Sequence, residues 1–154
     1  MHHELRRKDR GITDAEARGL LERCEYGILP TCGPDGQPYG MPLSYCVMDN
    51  AVYFHCAMEG HKLKNIAGNG RVSFCVVGAT EVLPDKFSTR YESVIVTGRA
   101  KEVSGTEKQR ALEGLVGKYS GAFREDGLRY IASDGGRTRV FRISIDAISG
   151  KARR

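Results

Sequence analysis

The stretch Tyr53-Phe54-His55-Cys56-Ala57-Met58-Glu59-Gly60-His61-Lys62-Leu63 carries an alternating strand into a short polar turn and then a helix that opens with two basic side chains. Val52, Phe54 and Cys56 fall on one face of that strand, Tyr53 and His55 on the other. Leu63, Ile66 and Ala67 then recur at helical spacing, and Gly68-Asn69-Gly70 supplies a stop. The first turn of a helix has backbone N–H groups with no intrahelical partner and the positive end of the peptide dipole, so it attracts an anion before any side chain helps. His61 and Lys62 would add donors and charge there. On the local pattern alone, the plainer reading of the pair is as solvated surface residues.

Outward from this stretch, the order of elements sets the fold class. Thr13-Asp14-Ala15-Glu16 is a capping box, and Ala17, Leu20, Leu21 and Cys24 follow on one helical face. Residues 26–32 are apolar and lead through Pro34-Asp35-Gly36 into the alternation of Tyr39, Met41, Leu43, Tyr45 and Val47, which predicts a hairpin. Asp49-Asn50 makes a second tight turn into residues 51–56. Past the short helix, residues 71–77 read as a strand and 91–103 as a long one bent at Gly98, with 79–90 a polar loop able to cover a site. Thr106-Glu107-Lys108-Gln109 is a second capping box, ahead of Leu112, Leu115, Val116 and Tyr119. Residues 120–137 read as Gly-rich and irregular, and Phe141, Ile143 and Ile145 mark the final strand. Tight turns between strands favour antiparallel pairing, and about six such strands favour a small barrel. A doubly wound sheet would need strand and helix to alternate throughout, and no G-x-G-x-x-G is present. The expectation is one mainly β domain over residues 1–154, a barrel with flanking helices, a 1–12 arm and a 150–154 tail.

Composition narrows the partners. With 40% hydrophobic residues and no long apolar run, no membrane helix is expected, and the charged N-terminus is unlike a signal peptide, so the protein is read as soluble and cytoplasmic. Five cysteines, an odd number without a C-x-x-C pair, read as reduced thiols. His2, His3, His55 and His61 do not take metal-site spacing beside them, so no metal is expected. The net charge of +5 admits an anionic partner, yet much of it lies in Arg6-Arg7-Lys8, Arg10 and Lys151-Ala152-Arg153-Arg154. No nucleic-acid module and no basic face interleaved with aromatics accompanies it, so nucleic acid and membrane are set aside in favour of a small molecule.

Three segments then carry a resemblance: Pro42-Leu43-Ser44-Tyr45, Val52 through Ala57 on to Gly60-His61-Lys62-Leu63, and Tyr91-Glu92-Ser93-Val94-Ile95-Val96-Thr97-Gly98-Arg99-Ala100. In order and spacing they resemble the FMN-binding split barrels of the pyridoxamine 5'-phosphate oxidase-like superfamily, and within it most closely the nitroimidazole-resistance proteins. The resemblance implies a six-stranded antiparallel split β-barrel that forms a homodimer, with FMN in a groove between the subunits. It implies the FMN phosphate at His61 and Lys62, with Cys56 and Ala57 giving turn contacts. The flavin ring would run along Pro42, Leu43, Ser44 and Tyr45, with Ser93 a further strand contact and His55 beside the ring as the candidate catalytic residue.

Those carry-overs agree with elementary chemistry, because riboflavin phosphate is a dianion on an apolar planar body and wants cations at one end and an apolar groove at the other. The function implied is a flavin-dependent oxidoreductase acting on small electron-poor substrates such as nitroheterocycles, with His55 or water supplying protons. His55 also reads as a half-exposed spacer, Cys56 as a small filler without a base partner, and Tyr45, Tyr53 and Tyr91 as packing residues. The competing functions are a non-catalytic flavin- or haem-binding split barrel, using His55 or His61 as an axial ligand, and a deazaflavin-dependent reductase. The short C-terminal end lacks the substrate-binding residues of pyridoxamine phosphate oxidases proper, so pyridoxal phosphate synthesis is not expected.

Overall fold

The fold is described from a computed structural model over residues 3–154, so His2 lies outside the described residues. Helix α1 (Asp14–Arg23) begins as its sequence predicts: the Thr13 hydroxyl accepts from the Glu16 N–H and the Glu16 carboxylate accepts from the Thr13 N–H. Ala17, Leu20 and Leu21 bury its inner face.

Seven antiparallel strands follow: β1 (Gly27–Cys32), β2 (Pro38–Leu43), β3 (Cys46–Met48), β4 (Ala51–Cys56), β5 (Arg71–Leu83), β6 (Ser88–Val103) and β7 (Arg139–Arg153). Their order in the sheet is β2-β1-β5-β6-β7-β4-β3. Among the described residues no ladder joins β2 to β3, so the sheet curls without closing. The count is seven rather than the expected six because the predicted second strand breaks at Ser44-Tyr45. There the Tyr45 side chain turns into the core, fully buried, and its hydroxyl donates to the Leu21 carbonyl. The Tyr119 hydroxyl takes over the backbone pairing, accepting from the Tyr45 N–H at 3.0 Å and lying 3.1 Å from the Tyr45 carbonyl.

Strand β7 is the seam of the molecule. Its first half pairs with β4, from Arg139 beside Cys56 to Ser144 beside Ala51, while its whole length pairs with β6. A β-bulge between Thr97 and Gly98 bends this ladder, and a Cβ at Gly98 would overlap the Ser144 carbonyl, which restricts that position to glycine. Residues 150–153, expected as a tail, run on as strand beside Tyr91–Val94.

Two further expectations are corrected. Residues 79–90 form the end of a β5–β6 hairpin, with Thr80–Leu83 paired to Ser88–Tyr91 and only Pro84–Lys86 forming a 3-10 turn. Residues 120–137 contain helix α4 (Arg124–Asp134), flanked by 3-10 turns, which buries Ile131 against helix α3 (Gly105–Tyr119). Gly127 permits that contact, since a Cβ there would sit 2.6 Å from a Val116 methyl. The second capping box does not form: Glu107 instead accepts from the Tyr53 hydroxyl at 2.7 Å and pairs with Arg142.

The core has two parts. The curled inner face of the sheet buries Leu29, Val52, Phe54, Phe74, Val76, Val96 and Ile143, closed by α1 and the short helix α2 (His61–Gly68). The outer face of β4 and the start of β7 is covered by α3 and α4 around Tyr53, Val140, Leu112 and Leu115. The outer face of β1, β5 and β6 has no such cover: Val77 is 55% and Ile95 49% exposed in mid-sheet. No helix is long and apolar enough to cross a membrane among the described residues.

Candidate functional site

The strand-turn-helix predicted from residues 53–63 is present. β4 is held between β3 and β7, α2 starts directly after the turn, and Leu63 and Ile66 anchor α2 in the core. Asn65 fixes its orientation, donating from Nδ2 to the Thr31 Oγ1 at 3.0 Å, while that hydroxyl donates to the Tyr39 carbonyl at 3.1 Å. Both Asn65 and Thr31 are buried, so the pair ties the helix to β1 from inside.

The start of α2 is open and free of acidic residues in its first turn. The Lys64 N–H is the first to find an acceptor, the Gly60 carbonyl at 3.3 Å, leaving the N–H groups of His61, Lys62 and Leu63 without helical partners. Nothing lies within 4 Å of the place a Cβ would occupy at Gly60. His61 stacks on Tyr39, ring centroids 4.1 Å apart and planes at 26°. Lys62 holds no carboxylate among the described residues. A glycine with open space at its Cβ position, three N–H groups without helical partners and an uncommitted ammonium make a donor set that fits a phosphate.

His55 and Cys56 lie within reach of that charge. Partial burial first, and the Lys62 ammonium second, push the His55 imidazole below its ordinary pKa, although the side chain still reaches solvent. Burial pushes the Cys56 thiol up, the opposite of what a thiolate nucleophile needs. Ala57 is exposed at the head of the turn. Arg139, beside Cys56 in the ladder, donates to the Met58 carbonyl at 3.3 Å and holds Glu102, so it braces the turn from the neighbouring strand. Neither Arg139 nor Tyr39 was singled out from the sequence; each reaches the site through strand pairing or stacking, which no local pattern records.

The other site residues lie elsewhere on the sheet. Pro42 and Leu43 end β2, paired with Ile28 and Gly27, and Pro42 and Ser44 are exposed. The Tyr45 side chain is in the core, away from any ligand, and its N–H is engaged by the Tyr119 hydroxyl, which itself donates to the Glu25 carbonyl. Ser93 pairs with Val77 and Lys151, whereas His55 pairs with Val140. Along β7 those partners are eleven residues apart, about 36 Å of strand at about 3.3 Å per residue. One copy of the chain therefore brings His55, Cys56, His61 and Lys62 together and leaves Ser93 far along the sheet.

Known proteins share this fold. A conserved hypothetical protein from Mycobacterium tuberculosis superimposes with a TM-score of 0.82 at 21% identity, covering 97% of this chain and 90% of that one. A protein provisionally named as a 5-nitroimidazole antibiotic resistance protein, from Bacteroides thetaiotaomicron, gives 0.73 at 18% identity over 97% and 95%. An FAD-binding protein from Mesorhizobium loti gives 0.68 at 24% over 94% and 98%. At these identities the likeness is one of fold. In sequence, an uncharacterized protein of Rhizobium meliloti (strain 1021) is 28% identical over 98 residues, which span 64% of this chain and 60% of that protein's length. The family model described as pyridoxamine 5'-phosphate oxidase matches residues 13–152, and with a seven-stranded curled sheet of the same fold to support it, the chain belongs to that family.

Proposed function

We propose that this protein binds FMN as a homodimer and works as a flavin-dependent oxidoreductase on small electron-poor substrates of the nitroheterocycle class. The observation that carries the reading is the start of α2, where free N–H groups and the uncommitted Lys62 stand beside His55. Family membership and the names of the flavin-binding and nitroimidazole-resistance neighbours support it.

In this reading Lys62, His61 and the first N–H groups of α2 hold the phosphate, and exposed Pro42 and Ser44 with Leu43 give the ring an edge to lie against. Bound flavin supplies the two-electron exchange with substrate. His55 holds or delivers a proton at its imidazole, and its depressed pKa makes it a ready donor once protonated. The separation of Ser93 from His55 along β7 favours a second copy, in whose site Ser93 would complete the groove. The uncovered outer face of β1, β5 and β6 offers the surface for it, with Ile28, Cys75, Val77 and Ile95 uncharged and Val77 and Ile95 half exposed.

The absorbance spectrum and released-cofactor mass of the purified protein test the cofactor directly, and they also separate FMN from deazaflavin and haem. Failure to bind FMN at micromolar concentration would end the reading. Nitroimidazole left unchanged by flavin-loaded protein supplied with electrons would remove the substrate class while leaving the cofactor in place.

A further inference from the structure

On the sheet, Arg90, Arg139 and Arg142 each hold a carboxylate, of Glu81, Glu102 and Glu107 respectively. Arg71 and Arg99 hold none among the described residues, although they are direct partners across β5 and β6. Cross-strand partners leave the sheet on the same face with Cβ atoms about 5 Å apart, so the two arginine side chains rise from adjacent positions and neither has a carboxylate partner among the described residues. Like charges in that position are destabilising, and an anion set between them would offset that cost.

The next pair along the same face is Ser73 and Thr97, two hydroxyls in the same register relation. These four residues line a groove of about 490 Å³ whose far wall carries Asp146, at the irregularity where β7 passes the Thr97/Gly98 bulge. Asp146 pairs with neither arginine. The groove thus has a strongly cationic end, a hydroxyl floor and a single carboxylate opposite. Its lining shares no residue with the start of α2.

We propose that this groove binds a small ligand carrying a phosphate or carboxylate together with a hydroxyl or amine, a mononucleotide-sized molecule in volume. The anionic group bridges Arg71 and Arg99 as a bidentate acceptor, Ser73 and Thr97 donate to it, and Asp146 accepts from the hydroxyl or amine. The site rests on residues apart from the start of α2, yet it lies on the same outer face as Cys75, Val77 and Ile95, which the proposed dimer would use, and the closing experiment keeps the two roles apart.

Calorimetric titration of the K62Q chain, in which the α2 phosphate site is weakened, with inorganic phosphate, citrate and AMP gives the test. Saturable binding that weakens with added salt is expected, phosphate and citrate separating the two anion chemistries and AMP binding tighter than phosphate. Adding R71Q or R99Q lowers phosphate and AMP affinity by about tenfold or more, whereas D146N lowers AMP affinity alone. No saturable binding of any probe, or affinities unmoved by both arginine variants, overturns the proposal. It is also overturned if sedimentation shows R71Q and R99Q changing self-association while anion affinity stays intact, because the arginines would then be interface charges.

Discussion

His55 shows how burial and a neighbouring charge together set a titration. Its charged form is disfavoured by partial burial and by Lys62, so the folded protein takes up this proton at lower pH than the unfolded chain, whose histidine titrates near its ordinary value of about 6.5. Above that pH both states are neutral and His55 contributes nothing to pH dependence. As pH falls through about 6.5 the unfolded chain binds the proton first, and stability declines until the folded imidazole also protonates. The urea midpoint of the wild type should therefore fall over this interval more than that of His55→Gln, and equal slopes would mean that His55 is not the group responsible. In turnover the same residue should act in the opposite sense: activity rises as pH drops toward the depressed pKa, and His55→Ala keeps flavin but loses that limb. At Lys62 the expected loss is of cofactor. Lys62→Gln should weaken FMN binding about 10- to 100-fold, the range of one charge-assisted hydrogen bond, read from the flavin absorbance titration.

Among the elements, α2 adds one buried polar tether to its apolar anchors Leu63 and Ile66. Asn65→Ala removes the donor to the buried Thr31 hydroxyl and should cost about 1–3 kcal/mol in urea unfolding, with flavin affinity falling as the helix start loosens. A variant as stable as wild type would show the tether to be incidental. The elements that were legible in the sequence are those with a capping signal, an apolar run or a periodic apolar pattern: α1 with its capping box, β1, β4, α2 and the first half of β7. The β5–β6 hairpin arm was not, because beyond Val77 both of its faces meet solvent and no periodicity survives, with Phe87 96% exposed at its end. Helix α4 was hidden for another reason. Gly121, Gly127, Gly135 and Gly136 make the segment read as broken, whereas Gly127 is a contact point cut to fit Val116. At the site, His55, His61 and Lys62 were readable as one local unit, while Tyr39 and Arg139 arrive from β2 and β7 and could be found only through the pairing of strands.

For the whole molecule, the decisive surface is the one no helix covers. Ile95→Asp places a charge in the middle of the bare outer face without touching the core, since Ile95 is half exposed and its neighbours in the ladder are Cys75 and Ser149. The expected result is a monomer by sedimentation equilibrium with native secondary structure and lost flavin, as a site shared between copies requires. A dimer that retains flavin would move the interface to another face. The fold class was within reach of the sequence because its strands are short and turn-linked. The open edge between β2 and β3 was not, because it follows from one tyrosine leaving the ladder for the core.

The seam formed by β7 also sets an order of assembly. β3 and β4 reach the rest of the sheet only through β7, which is synthesised after every other strand, so during translation the two portions of the sheet emerge as separate hairpins exposing unpaired edges. Strand β4 waits some eighty residues for its partner, from Cys56 to Arg139, a long-range closure of the kind that slows folding. In the nascent chain it is therefore the edges of β4 and β6, covered last, that most need shielding from other unfolded copies.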